Sequence, residues 1–221
     1  MWVEVWYDEE RNTEDNRKEG VFMIPPRIVQ YEGRLGTFAY STADFEISMR
    51  YTETGSFEIL SYRGRETDGS KIQVPEGLVN GSYLFEGKSL VTPPRLPKSL
   101  KNASYMFKNC VSLQRGAVLP DGVEKCGFMY QGCRSLVSCP DLPNTVVDAP
   151  YMFDGCSYLE RSPRLSKRMR NIAGIYRGCR RLQEEPEIPP YVLRDQYMFR
   201  DCLFLNRVGA DHPAVGNGMV S

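Results

Sequence analysis

Residues 110–132 read CVSLQRGAVLPDGVEKCGFMYQG and run directly into Cys133. The Cys then returns at a fixed interval of 23 residues: Cys110, Cys133, Cys156, Cys179 and Cys202. Other columns keep the same step. Leu113, Leu136, Leu159, Leu182 and Leu205 follow each Cys, and Phe107, Tyr130, Phe153, Tyr176 and Phe199 precede it. Met106, Met129, Met152, Ile175 and Met198 come just before those aromatics. Leu119, Leu142, Leu165 and Ile188 form a further column, usually with Pro next, and Val123, Val146, Met169 and Val192 another. An imperfect first copy, VPEGLVNGSYLFEGKSL at 74–90, aligns with 96–113 if one residue is dropped after Phe85. Self-similarity at such a period marks a solenoid, in which each unit buries its apolar side only by stacking on its neighbours.

Each unit divides in two. The LPxxV portion carries prolines, such as Pro140 and Pro143 or Pro186 and Pro189, that exclude helix and suit a short strand. In DAPYMFDGCSYL at 148–159, Ala149, Phe153 and Cys156 share one face of a helical turn or two, with Asp148 as N-cap and Pro150 in the first turn. The expected class is an α+β repeat protein, with the Cys column acting as small buried hydrophobes in reduced form. Cys126 falls in the column of Ala103 and Ala149 and reads as the same kind of filler.

The LPxxVxxAxxMFxGCxxL unit resembles the BspA-like leucine-rich repeats, over about residues 72–207. That resemblance implies a leucine-rich-repeat solenoid of about six coils and a recognition surface rather than a catalyst. It does not carry a partner with it. Surface exposure, common in that family, is not carried over, because MWVEVWYDEE lacks a basic start followed by an apolar stretch.

Residues 1–71 hold no copy of the repeat. WVEVWYD at 2–8 alternates like a strand, with Trp2 and Trp6 on one face, and DEERNTEDNRKEG at 8–20 reads as a charged loop. The segment 45–62 reads as a hairpin with Gly55 in its turn. The region is expected to be a β-rich cap over the open end of the solenoid; the alternative is a separate binding domain. Residues 208–221 are expected to be an irregular tail.

Composition narrows the function. Hydrophobic residues make up 41% and charged residues 25%, and no apolar run is long enough to span a bilayer, so no membrane insertion is expected. The expected location is the cytoplasm, of a host cell or within a virion. A single His, His212, leaves no general base for a Cys nucleophile inside the repeats. The spacings of Cys126, Cys133 and Cys139 match no zinc motif, EEPE at 184–187 reads as a solvated loop, and GNG at 216–218 lacks a phosphate-loop context. Neither enzyme activity, nor a cofactor, nor a metal is expected.

Charge supplies the one candidate site. Formal net charge is zero, yet residues 1–71 carry 9 Lys/Arg against 14 Asp/Glu and residues 72–207 carry 19 against 13. Between Arg161 and Arg181 the chain has eight basic residues and no acid: Arg161, Arg164, Lys167, Arg168, Arg170, Arg177, Arg180 and Arg181. Such a patch concentrates anionic partners and speeds encounter. The first-choice partner is an acidic protein surface. Nucleic acid is the alternative, with Tyr158 and Tyr176 near enough to stack on bases. A further alternative is a phage-encoded inhibitor that binds a host nuclease or ribonucleoprotein.

Overall fold

The 23-residue period becomes a stack of backbone coils joined by rows of hydrogen bonds, four of them over the turn portion and others, such as Glu124 to Lys101 and Val147 to Glu124, running from the later coil back to the earlier. The computed structural model describes residues 37–41, 45–51 and 57–208. In the first row Gly81, Ala103, Cys126, Ala149 and Ile172 donate their N–H to the carbonyls of Asn102, Lys125, Asp148, Asn171 and Arg194. Parallel rows begin at Tyr83, Phe85 and Gly87, each with five rungs. All four rows point the same way: the earlier coil donates and the later coil accepts.

This arrangement corrects the helical expectation for 148–159 and its equivalents. Every second N–H is used between coils, so an i→i−4 ladder cannot form. The intervening N–H groups close tight turns instead, as in Met106 to Ala103, Lys108 to Tyr105 and Cys110 to Phe107. The turns require left-handed residues at two columns. Tyr83, Tyr105, Phe128, Tyr151 and Tyr197 have φ of 53–64°, and Asn109 and Asp201 have φ of 60° and 63° in the column that Gly132, Gly155 and Gly178 also occupy. Among the described residues the only α-helix is α1, Leu203–Val208. Asp148 is not a helix N-cap; it accepts from Asn171 Nδ2 at 2.9 Å.

The strand expectation is corrected as well. Adjacent coils share isolated parallel bridges rather than full strands, one series through Asn80, Asn102, Lys125, Asp148, Asn171 and Arg194 and further ones at Gln73–Arg95 and Arg115–Ser138. Prolines such as Pro97, Pro120 and Pro143 remove ladder donors, which keeps the pairing between coils short.

Ahead of the coils lies a four-stranded sheet in the order β1 (Thr37–Ser41), β2 (Phe45–Tyr51), β3 (Phe57–Gly64), β4 (Leu78–Asn80). β2 and β3 form the antiparallel pair read from 45–62, with a register shift at Ser48/Met49. β3 then pairs in parallel with β4, in the first repeat. The expected strand at 2–8, the charged loop at 8–20, the Gly55 turn, His212, the GNG at 216–218 and the tail from 209 onward lie outside the described residues.

The core is one continuous column of ladders. Phe85, Phe107, Tyr130, Phe153, Tyr176 and Phe199 stack with ring centroids 5.4–6.0 Å apart, and Tyr62 from β3 packs edge-on against Phe85 at 5.1 Å. Leu113, Leu136, Leu159 and Leu182 are fully buried, each worth about 1.5–3 kcal/mol. Ile188 breaks its column at 40% exposed, and Val192 and Phe199 are only half-buried. The stack loosens at its far end.

Candidate partner-binding site

The recurring thiols belong to the architecture. Each Cys N–H donates to the aromatic carbonyl of its own coil, and each Sγ–H donates to the aromatic carbonyl of the coil before it. The second set comprises Cys110 to Phe85, Cys133 to Phe107, Cys156 to Tyr130, Cys179 to Phe153 and Cys202 to Tyr176, at 2.9–3.2 Å. Cys thus does more than fill space, since a buried carbonyl gains a second donor. Burial pushes the Cys110 thiol up to about 12 and the Cys202 thiol up to about 11, and raises Cys133, Cys156 and Cys179 as well. A thiol so held supplies little thiolate at neutral pH. Among the described residues no group of three or more His, Cys, Asp or Glu is placed to hold a metal ion.

The eight basic residues of 161–181 divide by environment. Arg177 is held by Asp154 through Nε and Nη2, both at 2.8 Å, and Asp154 also accepts from Gln131 Nε2. Arg164 pairs with Asp141 at 3.4 Å, with both side chains largely exposed. Arg161, Arg164 and Lys167 line one groove together with Glu184, Glu185 and Glu187, over a floor that includes Pro163, Leu165 and Pro186. Arg180 lines a second groove with Arg134, Ser157 and Asp201. Arg181 lies over the Tyr158 ring at 4.1 Å. Arg168 and Arg170 are exposed and, among the described residues, have no acidic partner.

The acidic side of the first groove is what reading the patch in isolation missed. Glu184 and Glu187 stand 23 residues after Arg161 and Arg164, so the stacking places them one coil further along the same columns. The column Asp141, Arg164, Glu187 alternates in sign. EEPE is therefore part of the groove wall rather than an unrelated loop.

The aromatic partners proposed for stacking are not free. Tyr176 is fully buried and hydrogen-bonded through its hydroxyl to Ser162, and one face of Tyr158 is covered by Arg181. An outer row of rings, Tyr83, Tyr105, Phe128 and Tyr151, stacks face to face with centroids 4.5–5.1 Å apart.

Comparison with solved structures gives the fold. A leucine-rich-repeat protein of T. pallidum aligns with a TM-score of 0.56 at 24% identity, over 77% of this chain and 94% of its own. A leucine-rich-repeat protein of Bacteroides ovatus aligns with a TM-score of 0.51 at 21% identity, over 75% of this chain and 51% of its own. No protein-family model and no curated protein matches the chain. The fold is that of leucine-rich-repeat proteins, and no helix among the described residues is long and apolar enough to cross a membrane.

Proposed function

We propose that the chain is a non-enzymatic, protein-binding scaffold: a BspA-like leucine-rich-repeat solenoid of about six coils, capped in front by the β-rich region within 1–71. The pairing of β3 with β4 and the seat of Tyr62 on Phe85 support the cap. Partner recognition is assigned to exposed positions between Arg161 and Arg181. The observation that carries this assignment is the exposure of Arg168 and Arg170 with no acidic partner among the described residues, beside a coil whose other cations are partly neutralised. These two extend from the solenoid where neither packing nor ion pairing asks for them. A protein surface suits them better than single-stranded nucleic acid, because Tyr176 is buried and one face of Tyr158 is covered by Arg181.

The test is co-purification from host lysate, with and without nuclease, using wild type and an Arg168→Glu/Arg170→Glu variant. The expected result is a protein partner that survives nuclease and is lost with the variant while thermal unfolding stays unchanged. Recovery of nucleic acid alone, lost above moderate salt, would replace this reading with the nucleic-acid one.

A further inference from the structure

The one-way rows leave an unusual edge where they stop. In every coil but the last, four alternate N–H groups are consumed by the next coil, as Ile172, Gly174, Tyr176 and Gly178 are by the carbonyls of Arg194, Gln196, Met198 and Arg200. Their counterparts in the last coil are the N–H groups of Asp195, Tyr197, Phe199 and Asp201. Among the described residues these have no acceptor, while their carbonyl neighbours are already used. Over 195–201 the edge is therefore a comb of donors, beside the Leu193 carbonyl, whose counterpart Arg170 O accepts from the next coil. An ordinary strand edge alternates donors with acceptors and cannot satisfy it.

Such a comb has a defined chemical preference. Tyr197 and Asp201 are left-handed, with φ of 61° and 63°, and alternate with residues that are not. A backbone N–H without an acceptor bonds a carboxylate more strongly than a neutral carbonyl, because that hydrogen bond is charge-assisted. Side-chain charges do not decide the sign here, because Arg194 and Arg200 are offset by Asp195 and Asp201. Apolar side chains surround the comb: Tyr191 is 66% exposed, Leu193 71% and Tyr197 61%, with Leu203 and Phe204 beyond them. The columns preceding Tyr191 and Leu193 hold Arg168 and Arg170, so the last coil exchanges charge for apolar surface. The opposite end of the stack offers no match for a second copy, because Tyr62 and β3 already sit on the first repeat.

We propose that the far edge of the last coil is a second binding site. It takes an extended acidic segment of a partner protein, with carboxylates on the N–H groups of Asp195, Tyr197, Phe199 and Asp201 and apolar side chains against Tyr191, Leu193 and Tyr197. This site is independent of the 161–181 surface, and either could exist without the other.

Residue-resolved hydrogen exchange on the full chain tests it, with a short synthetic peptide alternating Glu and Leu as probe and its Lys–Leu counterpart as control. The four edge amides should exchange fast in the free protein and slow about tenfold or more with the Glu–Leu peptide. The amides of Ile172, Gly174, Tyr176 and Gly178 should be slow throughout. Edge amides already slow in the dilute free chain would overturn the proposal in favour of the chain's own residues beyond 208. Slowing that depends on protein concentration would overturn it in favour of a second copy. No change with the acidic peptide, or equal slowing by both peptides, would also sink it. A Tyr197→Gly variant keeps the left-handed backbone, as Gly174 does one coil earlier, and should weaken peptide binding without unfolding the coil.

Discussion

The guanidinium of Arg177 and the carboxylate of Asp154 meet through two hydrogen bonds of 2.8 Å, one coil apart. Asp154 is 7% exposed, so its charge depends on this partner and on Gln131. Arg177 therefore belongs to the stack more than to its surface. Arg177→Ala is expected to lower unfolding free energy by about 2 kcal/mol, whereas Arg168→Ala should stay within about 0.5 kcal/mol. Urea unfolding of the two variants checks the division, and equal losses would show that it is drawn in the wrong place.

The thiol column predicts an alkaline weakness. Burial raises Cys110 and Cys139 to about 12 and Cys202 to about 11, above the usual value of 9.0. The folded chain thus holds thiol protons that the unfolded chain releases from about pH 9 upward. Stability should be full below that point and decline as pH rises toward 11–12. Each such thiol contributes about 1.4 kcal/mol per pH unit within its window. Urea midpoints between pH 7 and 11 should fall along that course, and a Cys110→Ala variant, less stable at pH 7, should show a shallower fall. Buried Tyr130 and Tyr176 act in the same direction, so the difference between variants is the informative quantity.

Left-handed positions invert the usual order of substitutions. Asn109 has φ of 60° in a column that it shares with Gly87, Gly132, Gly155, Gly178 and Asp201. Asn109→Gly should be neutral or stabilising, and Asn109→Ala should cost about 1 kcal/mol. Thermal unfolding of the pair decides it; Ala outperforming Gly would mean that the turn is not left-handed in solution.

Tyr130 and Cys156 give a fourth expectation. The Cys156 Sγ–H donates at 3.1 Å to the Tyr130 carbonyl in a fully buried position. Cys156→Ser keeps a donor in nearly the same volume, while Cys156→Ala removes the donor and leaves a small void. Ser should retain more stability than Ala by about 1 kcal/mol. Thiol alkylation of wild type should report no labelling at Cys156 until the chain unfolds.

The period, the ladder columns and the pairing of 45–51 with 57–64 were all legible in the sequence, because burial imposes a residue type at each of them. The turn conformation was not. Ala149, Phe153 and Cys156 share a face in a helix, but overlapping turns bury the same three residues, and the pattern of apolar positions does not separate the two. Left-handed Gly132, Gly155 and Gly178 were the available signal, since glycine recurring mid-helix is costly. For the candidate surface, the basic run was visible while its acidic counterweight was not, although Glu184 and Glu187 stand one period after Arg161 and Arg164. Charges in a stacked chain must be read down columns, not only along the chain.

The regular repetition of the inter-coil hydrogen bonds also bears on how such a chain can change length. Along these four rows each full coil offers N–H groups forward and carbonyls behind, so the junctions from the second coil onward repeat the same bonds. Duplicating or deleting one 23-residue unit would recreate a junction that already exists, with its aromatic, Leu and Cys rows in register. Internal tandem duplication therefore needs no new packing solution. The breadth of the lateral surface can drift in whole coils while both ends keep their own chemistry.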